Sequence, residues 1–375
     1  MRPVGLSQAK LDALVARARR EVDEGVLPAC QVAVGLDGEV IAFEAHGDAT
    51  TDTRFSVFSC TKPIVAAAAW VLIGEGRLDP SRPVADLVPE FATHGKHAVT
   101  VEQVLLHTSG FPRETLMPPQ WDTREGRLEA FGDWKLQWEP GTAFEYHPTS
   151  GHWVLAEVIE RVTGLDFRDA VHRLVTVPAG LPRRVLGLAP ADQDAIAAME
   201  VRGEPATADE LEQAIGVRSL PSGEVTDAAL LGFNRADVRS TGVPAAGAVM
   251  TAADLALFYQ RLLHDPEGIW HPAVLADATG NVRNTLGDPT FSMPANRTLG
   301  LVVAGDDGLA FLRGFGSSVS PRAFGHNGAG GQVAWADPAT GISFAYVTNG
   351  LDANVIRQFR RGMSLSSRAG ALAQD

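Results

Sequence analysis

Ser59 and Lys62 lie three positions apart at the start of an apolar stretch, and a helix there would put both side chains on one face. A serine hydroxyl is a weak nucleophile unless a base lies within hydrogen-bond reach. A lysine amine shielded from water by apolar neighbours can lose its charge and serve as that base. The pair therefore predicts nucleophilic catalysis by Ser59, with Lys62 as the base and the first backbone N–H groups of the helix facing the group under attack.

The same spacing occurs at Ser7 and Lys10, so the pattern alone has little specificity. Ser7 precedes an amphipathic, charge-rich helix near the N-terminus, where a serine most simply caps the helix. Lys62 is one of only four lysines, and the residues that follow it, 64–73, are apolar on every side, which is typical of an enclosed helix. This context favours Ser59 over Ser7, although a purely structural serine and lysine remain the alternative.

The elements that must position this pair begin with strands near both ends of the chain. Residues 28–36 and 39–44 are strand-like and flank Asp37-Gly38, a strong hairpin signal. Residues 331–336 and 342–348 form a second strand pair, which an amphipathic helix follows from about 353 to 364.

Helices are predicted between the two strand pairs, over 100–106, 150–162 and 251–263. This order predicts an α+β fold, an antiparallel sheet flanked by helices, with an inserted, mainly helical lobe. We expect the first half of the sheet lobe in 1–69, the helical lobe in 70–240 and the second half of the sheet lobe in 241–375. Within that arrangement, residues 203–245, which are rich in Gly, Pro and small polar residues, are expected to form surface excursions and the return to the sheet lobe.

Composition limits the possible partners. The 375 residues carry a net charge of −13, which disfavours nucleic acid or an anionic membrane as a binding partner. The two cysteines, Cys30 and Cys60, are too few for a disulfide framework and are expected to be reduced thiols. No apolar signal segment follows Met1, and no apolar run is long enough to cross a bilayer, so the expected location is cytoplasmic.

Three further stretches present polar groups at turns. Residues 140–148 form a turn that presents Tyr146, residues 105–112 end a helix in a sharp turn, and the glycine-rich residues 325–331 lead into a strand. Together with Ser59-Cys60-Thr61-Lys62, they resemble the serine beta-lactamase-like superfamily. That superfamily includes class C beta-lactamases, D-alanyl-D-alanine peptidases and family VIII carboxylesterases. The resemblance spans residues 10 to 350 and implies a beta-lactamase/transpeptidase-like fold.

The resemblance also implies roles for individual residues. Ser59 would form an acyl-enzyme, Lys62 would withdraw its proton, and Tyr146 would relay a proton to the leaving group. The backbone N–H groups of Ser59 and Ala329 would form the oxyanion hole. The alternative for Tyr146 is an ordinary half-buried core tyrosine.

Two departures from the superfamily pattern bear on the substrate. His326, with Asn327 and Gly328, stands where lactamases and peptidases usually carry Lys-Thr-Gly, and Pro148 replaces the asparagine of their Tyr-x-Asn pattern. Both changes remove polar groups that would recognise the substrate. His326, Asn327 and Gly328 are expected to bind substrate without taking part in the chemistry. The alternative for His326 is a histidine that only fills the strand edge.

Aromatic residues precede Tyr146 in a region that borders the cleft in this superfamily. Trp121, Trp134 and Trp138, with Met117 and Phe131, are candidates for an acyl or alcohol pocket, and simple packing of a long loop is the alternative.

The other histidines show no metal-ligand spacing, and His107 is expected to fix the turn at Ser109 and Gly110. No metal or cofactor is expected. A Gly-x-Ser-x-Gly elbow is also missing, which disfavours an α/β-hydrolase.

The leading hypothesis is therefore a cytoplasmic carboxylesterase acting on short-chain or bulky small-molecule esters, with acyl transfer as a variant. Beta-lactamase or D-amino-acid peptidase activity is the second hypothesis. A non-catalytic binding or sensor module on the same fold is the third.

Overall fold

A six-stranded antiparallel sheet with the strand order β2-β1-β11-β10-β9-β8 forms the base of the protein. The structure, a computed structural model, describes residues 6–219, 225–290 and 292–373, apart from the side chain of Ile215. Its strands are β1 (Ala29–Leu36), β2 (Glu39–Gly47), β3 (Phe55–Ser56), β4 (Glu200–Arg202), β5 (Val249–Met250), β6 (Gly287–Asp288), β7 (Met293–Pro294), β8 (Val302–Val303), β9 (Phe324–Gly325), β10 (Val333–Asp337), β11 (Ile342–Thr348) and β12 (Gly350–Asp352).

Helices pack on both faces of the sheet and fill the space between its two halves in sequence. They are α1 (Gln8–Asp23), α2 (Thr61–Gly74), α3 (Val101–Leu105), α4 (Arg124–Asp133), α5 (Ser150–Thr163), α6 (Phe167–Val171), α7 (Ala208–Ile215), α8 (Asp227–Leu231), α9 (Ala236–Thr241), α10 (Ala252–His264), α11 (Pro272–Gly280) and α12 (Val355–Gly370). None of the helices in the described ranges has both the length and the apolar character to cross a membrane.

The hairpin predicted at Asp37-Gly38 is confirmed. Both residues have positive φ, 52° and 86°, as a tight two-residue hairpin turn requires. β1 then pairs with β11 from the other end of the chain, with Cys30 opposite Thr348. The sheet therefore joins segments more than 300 residues apart, as the α+β prediction required.

Alternation along the central strands divides the core into two layers. Val32 and Phe344 face the layer that contains α1 and α12, whereas Ala33 and Ala345 face the layer that contains α2 and α10. Small alanines on the second face leave room for α10, whose Gln260 side chain bonds Ser343 Oγ on β11 at 3.0 Å.

α2 is the buried centre of the helical layer, as its uniformly apolar sequence predicts. Every residue from Thr61 to Leu72 is buried, including Lys62. The indole N–H of Trp70 donates to the carbonyl oxygen of Leu299 at 2.8 Å, which ties α2 to the segment that precedes β8. This helix starts two residues after Ser59 and so fixes where the predicted nucleophile lies.

Some sequence expectations need correction. Residues 203–245 are not only surface excursions, since their described part contains α7, α8 and α9. α12 runs to Gly370, six residues beyond the predicted end, because Leu365, Ser366 and Ala369 continue its buried face. Ser7 occupies the N-cap position of α1, but its side chain makes no capping hydrogen bond. The lobe boundaries at 69 and 240 stay a prediction.

Candidate active site

A short 3-10 turn, Phe58–Cys60, delivers Ser59 to the start of α2. Phe58 has φ of 45°, a left-handed conformation that is costly for a bulky side chain and typical of functional sites. Its ring packs edge-on against Phe233, with 5.4 Å between centroids. The N–H of Val57 also bonds the carbonyl oxygen of Ala248 at 3.0 Å, so tertiary contacts hold the turn in place.

Lys62 lies within hydrogen-bond reach of Ser59, as the spacing predicts. Its Nζ is 3.2 Å from Ser59 Oγ, 2.8 Å from the carbonyl oxygen of Pro148 and 3.1 Å from that of Ala245. A neutral amine that donates its two N–H groups to these carbonyls directs its lone pair at the Ser59 hydroxyl. The pKa of Lys62 is held well below its usual value, first by burial and then by the charge of Arg297. The geometry and the charge state both suit a general base.

Tyr146 completes the cluster from the 140–148 turn. Its hydroxyl donates to Ser59 Oγ at 2.9 Å, and Lys62 Nζ lies 4.8 Å from its ring centroid. Burial raises the pKa of Tyr146 to about 12, although the hydrogen bond to Ser59 and the charge of Arg297 act in the opposite direction. Tyr146 therefore carries its proton at neutral pH and can donate it to a leaving group.

Two buried histidines, His147 and His107, support the Tyr146 turn. His147 Nε2 lies 3.0 Å from Ser109 Oγ and accepts from the N–H of Phe111 at 3.3 Å, while its Nδ1 lies 2.6 Å from the carbonyl oxygen of Glu145. The prediction that His107 fixes the turn at Ser109 was therefore wrong, because His147 holds that turn.

His107 instead accepts the backbone N–H of His147 at 3.2 Å, and its ring lies tilted against that of Tyr146 with 4.8 Å between centroids. Burial lowers the pKa of His107 and His152 well below the usual value and that of His147 to about 4. All three are thus neutral at physiological pH. Within the described ranges, no group of His, Cys, Asp or Glu is arranged to hold a metal ion.

His326 adjoins the cluster, with its ring centroid 5.8 Å from that of Tyr146. Burial is the main reason that its pKa is well below the usual value, so the ring is neutral. Its Nδ1 lies 2.8 Å from the carbonyl oxygen of Asn327, whereas its Nε2 is buried without a hydrogen-bond partner among the described residues. A neutral ring that donates through Nδ1 presents Nε2 as an acceptor and supplies no cation.

The segment after His326 passes very close to the Ser59 turn. A Cβ on Gly328 would lie 2.3 Å from the carbonyl oxygen of Val57, so only glycine permits this approach. Asn327 is held at longer range, with its Nδ2 3.4 Å from the carbonyl oxygen of Gly314. Ala329 follows and lines the same cavity as Ser59, which is where an oxyanion-hole N–H would have to lie.

An apolar cavity of about 480 Å³ opens beside Ser59 and Tyr146. Much of its wall comes from two parts of the chain, the loop before α4 and the α8–α9 region. These walls include Leu116, Met117, Trp121, Leu230, Phe233 and Val243. The α8–α9 wall belongs to residues 203–245, which we predicted to form surface excursions. A larger groove of about 920 Å³, between α10, α11 and β9, contains none of the Ser59 cluster, so we assign the chemistry to the smaller cavity.

Only one of the three tryptophans predicted to form the pocket lines the cavity. Trp121 lines the cavity, but Trp134 and Trp138 do not. Trp134 is buried in the core, with its ring 4.8 Å from that of Phe131, and Trp138 packs edge-on against His147 at 6.2 Å. The prediction that Trp134 and Trp138 line the pocket is corrected for that reason. Phe131, which was predicted with them, lies in the core beside Trp134.

Sequence reasoning missed Arg297. The Cζ atom of its guanidinium lies 5.2 Å from the ring centroid of Tyr146 and 5.4 Å from that of Phe144. Its Nε and Nη1 are shielded from solvent and have no hydrogen-bond partner among the described residues. A lone arginine outside every motif gave no sequence signal. It nevertheless brings a permanent positive charge to the edge of the site.

Comparisons with known proteins point to one family. The family model described as Beta-lactamase matches residues 12–363. The chain is 29% identical over 347 residues to the protein named Esterase/beta-lactamase LipL of Mycobacterium tuberculosis, covering 85% of this chain and 76% of that one.

Solved structures agree with that match. A penicillin-binding protein homolog from Caulobacter crescentus superposes with a TM-score of 0.77 at 27% identity, covering 98% of both chains. A family VIII carboxylesterase has the same fold, with a TM-score of 0.77 at 24% identity, covering 97% of this chain and 99% of the other. The fold is therefore beta-lactamase/transpeptidase-like, and the chain belongs to the beta-lactamase family of serine hydrolases.

Proposed function

We propose that this protein is a carboxylesterase that forms an acyl-enzyme on Ser59 and prefers small-molecule esters with a bulky apolar group. The observation that carries the proposal is the position of Ser59 Oγ. It lies within hydrogen-bond reach of both Lys62 and Tyr146, at the edge of an apolar cavity of about 480 Å³.

The proposed reaction moves one proton through this cluster at each stage. Lys62 takes the hydroxyl proton as Ser59 Oγ bonds to the ester carbonyl carbon, and the N–H groups of Ser59 and Ala329 stabilise the oxyanion. Tyr146 gives its proton to the departing alkoxide as the C–O bond breaks, and the Lys62 ammonium restores that proton. Water then attacks the acyl-enzyme by the reverse route and releases the acid. A second alcohol in place of water would give acyl transfer.

The cavity lining supports an ester over a peptide. Apolar walls favour acyl or alcohol groups without charge, and an activated alcohol leaves with less protonation than an amine requires. Neutral His326 and Pro148 also provide neither the cation nor the amide that a beta-lactam or D-Ala-D-Ala substrate would use.

One observation favours the second candidate, beta-lactam or D-amino-acid peptide hydrolysis. Arg297 lies beside Tyr146 without an ion pair among the described residues, and a substrate carboxylate could pair with it. A matched substrate comparison decides between the two. We expect kcat/KM for p-nitrophenyl butyrate to exceed that for nitrocefin clearly, and the reverse order would replace the esterase proposal with the lactamase.

A non-catalytic binding module is the remaining alternative, and it predicts no labelling of Ser59 by a fluorophosphonate. We also propose that the protein works in the cytoplasm. Its proposed binding partner is a small-molecule ester, not nucleic acid or a membrane. Fractionation of cells with an antibody to the protein tests the location.

A further inference from the structure

Arg297 forms no direct ion pair with an acidic side chain in the described ranges, and the carboxylate of Asp288 acts on its charge only at longer range. Its Nε and Nη1 are shielded from solvent and unpartnered, and its guanidinium rests against the rings of Phe144 and Tyr146. Arginine keeps its charge in proteins, so the charge persists at any working pH. A half-buried cation with two shielded, unpartnered N–H groups is costly, which calls for a reason for its presence beside Tyr146.

Lys62 is the group in the site whose charge matters most for the proposed reaction. The titratable groups that face it come from several elements, and each of them is uncharged at rest. These groups are Cys60, His107, Tyr146, His147, His152 and His326. Arg297 is the exception, and it adds to burial in holding the pKa of Lys62 down.

Hydrogen bonding alone leaves the charge of Lys62 open. Three oxygen atoms surround Nζ, so an ammonium could donate to all of them, while a neutral amine could donate to the two carbonyls and accept from Ser59. Only the neutral form can act as the base. Burial already favours the amine, and a nearby positive charge would strengthen that bias.

Arg297 is close enough to supply that bias. Lys62 Nζ lies 4.8 Å and Arg297 Cζ lies 5.2 Å from the same Tyr146 ring centroid, so the two groups are at most about 10 Å apart. At that separation and an effective dielectric constant of about 20, like charges shift a pKa by about one unit.

We propose that Arg297 is a positioning residue that keeps Lys62 as a free amine at neutral pH, so that Ser59 has a base beside it before substrate arrives. The inference rests on the proposed Ser59 hydrolase function. It gives the unpaired guanidinium a role that needs no ligand, because the charge acts on Lys62 through space.

The experiment compares Arg297→Met, which removes the charge, with Arg297→Lys, which keeps it. The substrate is p-nitrophenyl acetate, which is neutral, so binding of a substrate carboxylate plays no part. We expect the acid limb of kcat/KM against pH to move up by about one pH unit in Arg297→Met, with the alkaline plateau within a few-fold of wild type. Arg297→Lys should keep the wild-type limb.

A second readout observes Lys62 itself. The chain has only four lysines, so 13C labelling at the ε carbon gives four signals, and Lys62→Arg assigns the one of interest. In Arg297→Met the Lys62 midpoint should rise by about one pH unit, while the Lys10 and Lys135 midpoints should not move.

Three results would overturn the inference. One is an unchanged Lys62 midpoint in Arg297→Met. Another is an equal loss of rate at every pH, which a purely structural role would give. The third is a loss of rate confined to substrates that carry a carboxylate, which would mean that Arg297 binds substrate.

The lysine titration does not depend on turnover, so its failure is distinct from failure of the proposed function. Full esterase activity in Ser59→Ala would reject the function and leave the titration interpretable. We expect Arg297→Met to fold, because it removes a half-buried charge that has no ion-pair partner, and its melting temperature should be no lower than that of wild type. Arg297→Gln gives the same two readouts if methionine packs poorly.

Discussion

The apolar cavity predicts how the rate depends on the size of the acyl group. Each buried methylene contributes about 0.8 kcal/mol, which corresponds to about fourfold in kcat/KM. p-Nitrophenyl hexanoate has four more methylenes than the acetate, so complete burial would favour it by up to about 200-fold. A cavity of about 480 Å³ has room for a chain of this length.

Ala246→Leu tests this reasoning. Ala246 is half-buried, lines the cavity, and follows the residue whose carbonyl oxygen accepts from Lys62. Leucine adds three carbon atoms and displaces about two to three methylenes of the acyl chain. The ratio of kcat/KM for hexanoate to that for acetate should therefore decrease by about 15- to 60-fold relative to wild type, with acetate hydrolysis nearly unchanged.

The assay follows release of p-nitrophenol across the series from acetate to octanoate. Ala214→Leu, on the exposed face of α7 outside the cavity, is the matched control and should leave the ratio as in wild type. A wild-type enzyme indifferent to chain length, or an Ala246→Leu variant with the wild-type ratio, would refute the placement of the acyl group in this cavity.

Two further predictions concern the proton-transfer groups. Lys62→Ala and Tyr146→Phe should each lower kcat by about 100- to 10,000-fold without loss of fold, as measured by turnover and circular dichroism. Tyr346→Phe, a buried tyrosine facing the other core layer, is the control, and near-normal rates in either site variant would contradict the assignment. Because the lowered pKa of Lys62 leaves the amine neutral above that value, kcat/KM should rise with pH as Lys62 loses its proton and then stay level into mildly alkaline pH. An optimum near pH 5 in a stopped-flow pH series would count against a lysine base.

Local patterns predicted those parts of the structure that depend on neighbouring residues. Asp37-Gly38 predicted its hairpin because few residues adopt positive φ in succession, and the apolar run after Lys62 predicted an enclosed helix. Ser59 and Lys62 meet because a three-residue spacing on helical backbone leaves little choice. The order of these elements was enough to predict the α+β class.

Contacts between distant segments could not be predicted in this way. Arg297 lies beside Tyr146 only because the chain before β8 returns to the site, and no motif marks that return. Trp134 and Trp121 both belong to the stretch before Tyr146, yet one packs in the core and the other lines the cavity. The contribution of α8–α9 to the cavity wall was not predicted. A Gly- and Pro-rich composition indicates an exposed segment, but it does not show whether that segment lines a cavity.

Intact-protein and peptide mass spectrometry after treatment with a fluorophosphonate tests the central claim most directly. Wild-type protein should gain one adduct, located on Ser59, and lose esterase activity in proportion. Ser59→Ala should gain none and have no turnover, whereas Ser7→Ala, which alters the other serine with the same spacing to a lysine, should match wild type. An adduct on another residue, or continued turnover by Ser59→Ala, would contradict Ser59 as the nucleophile.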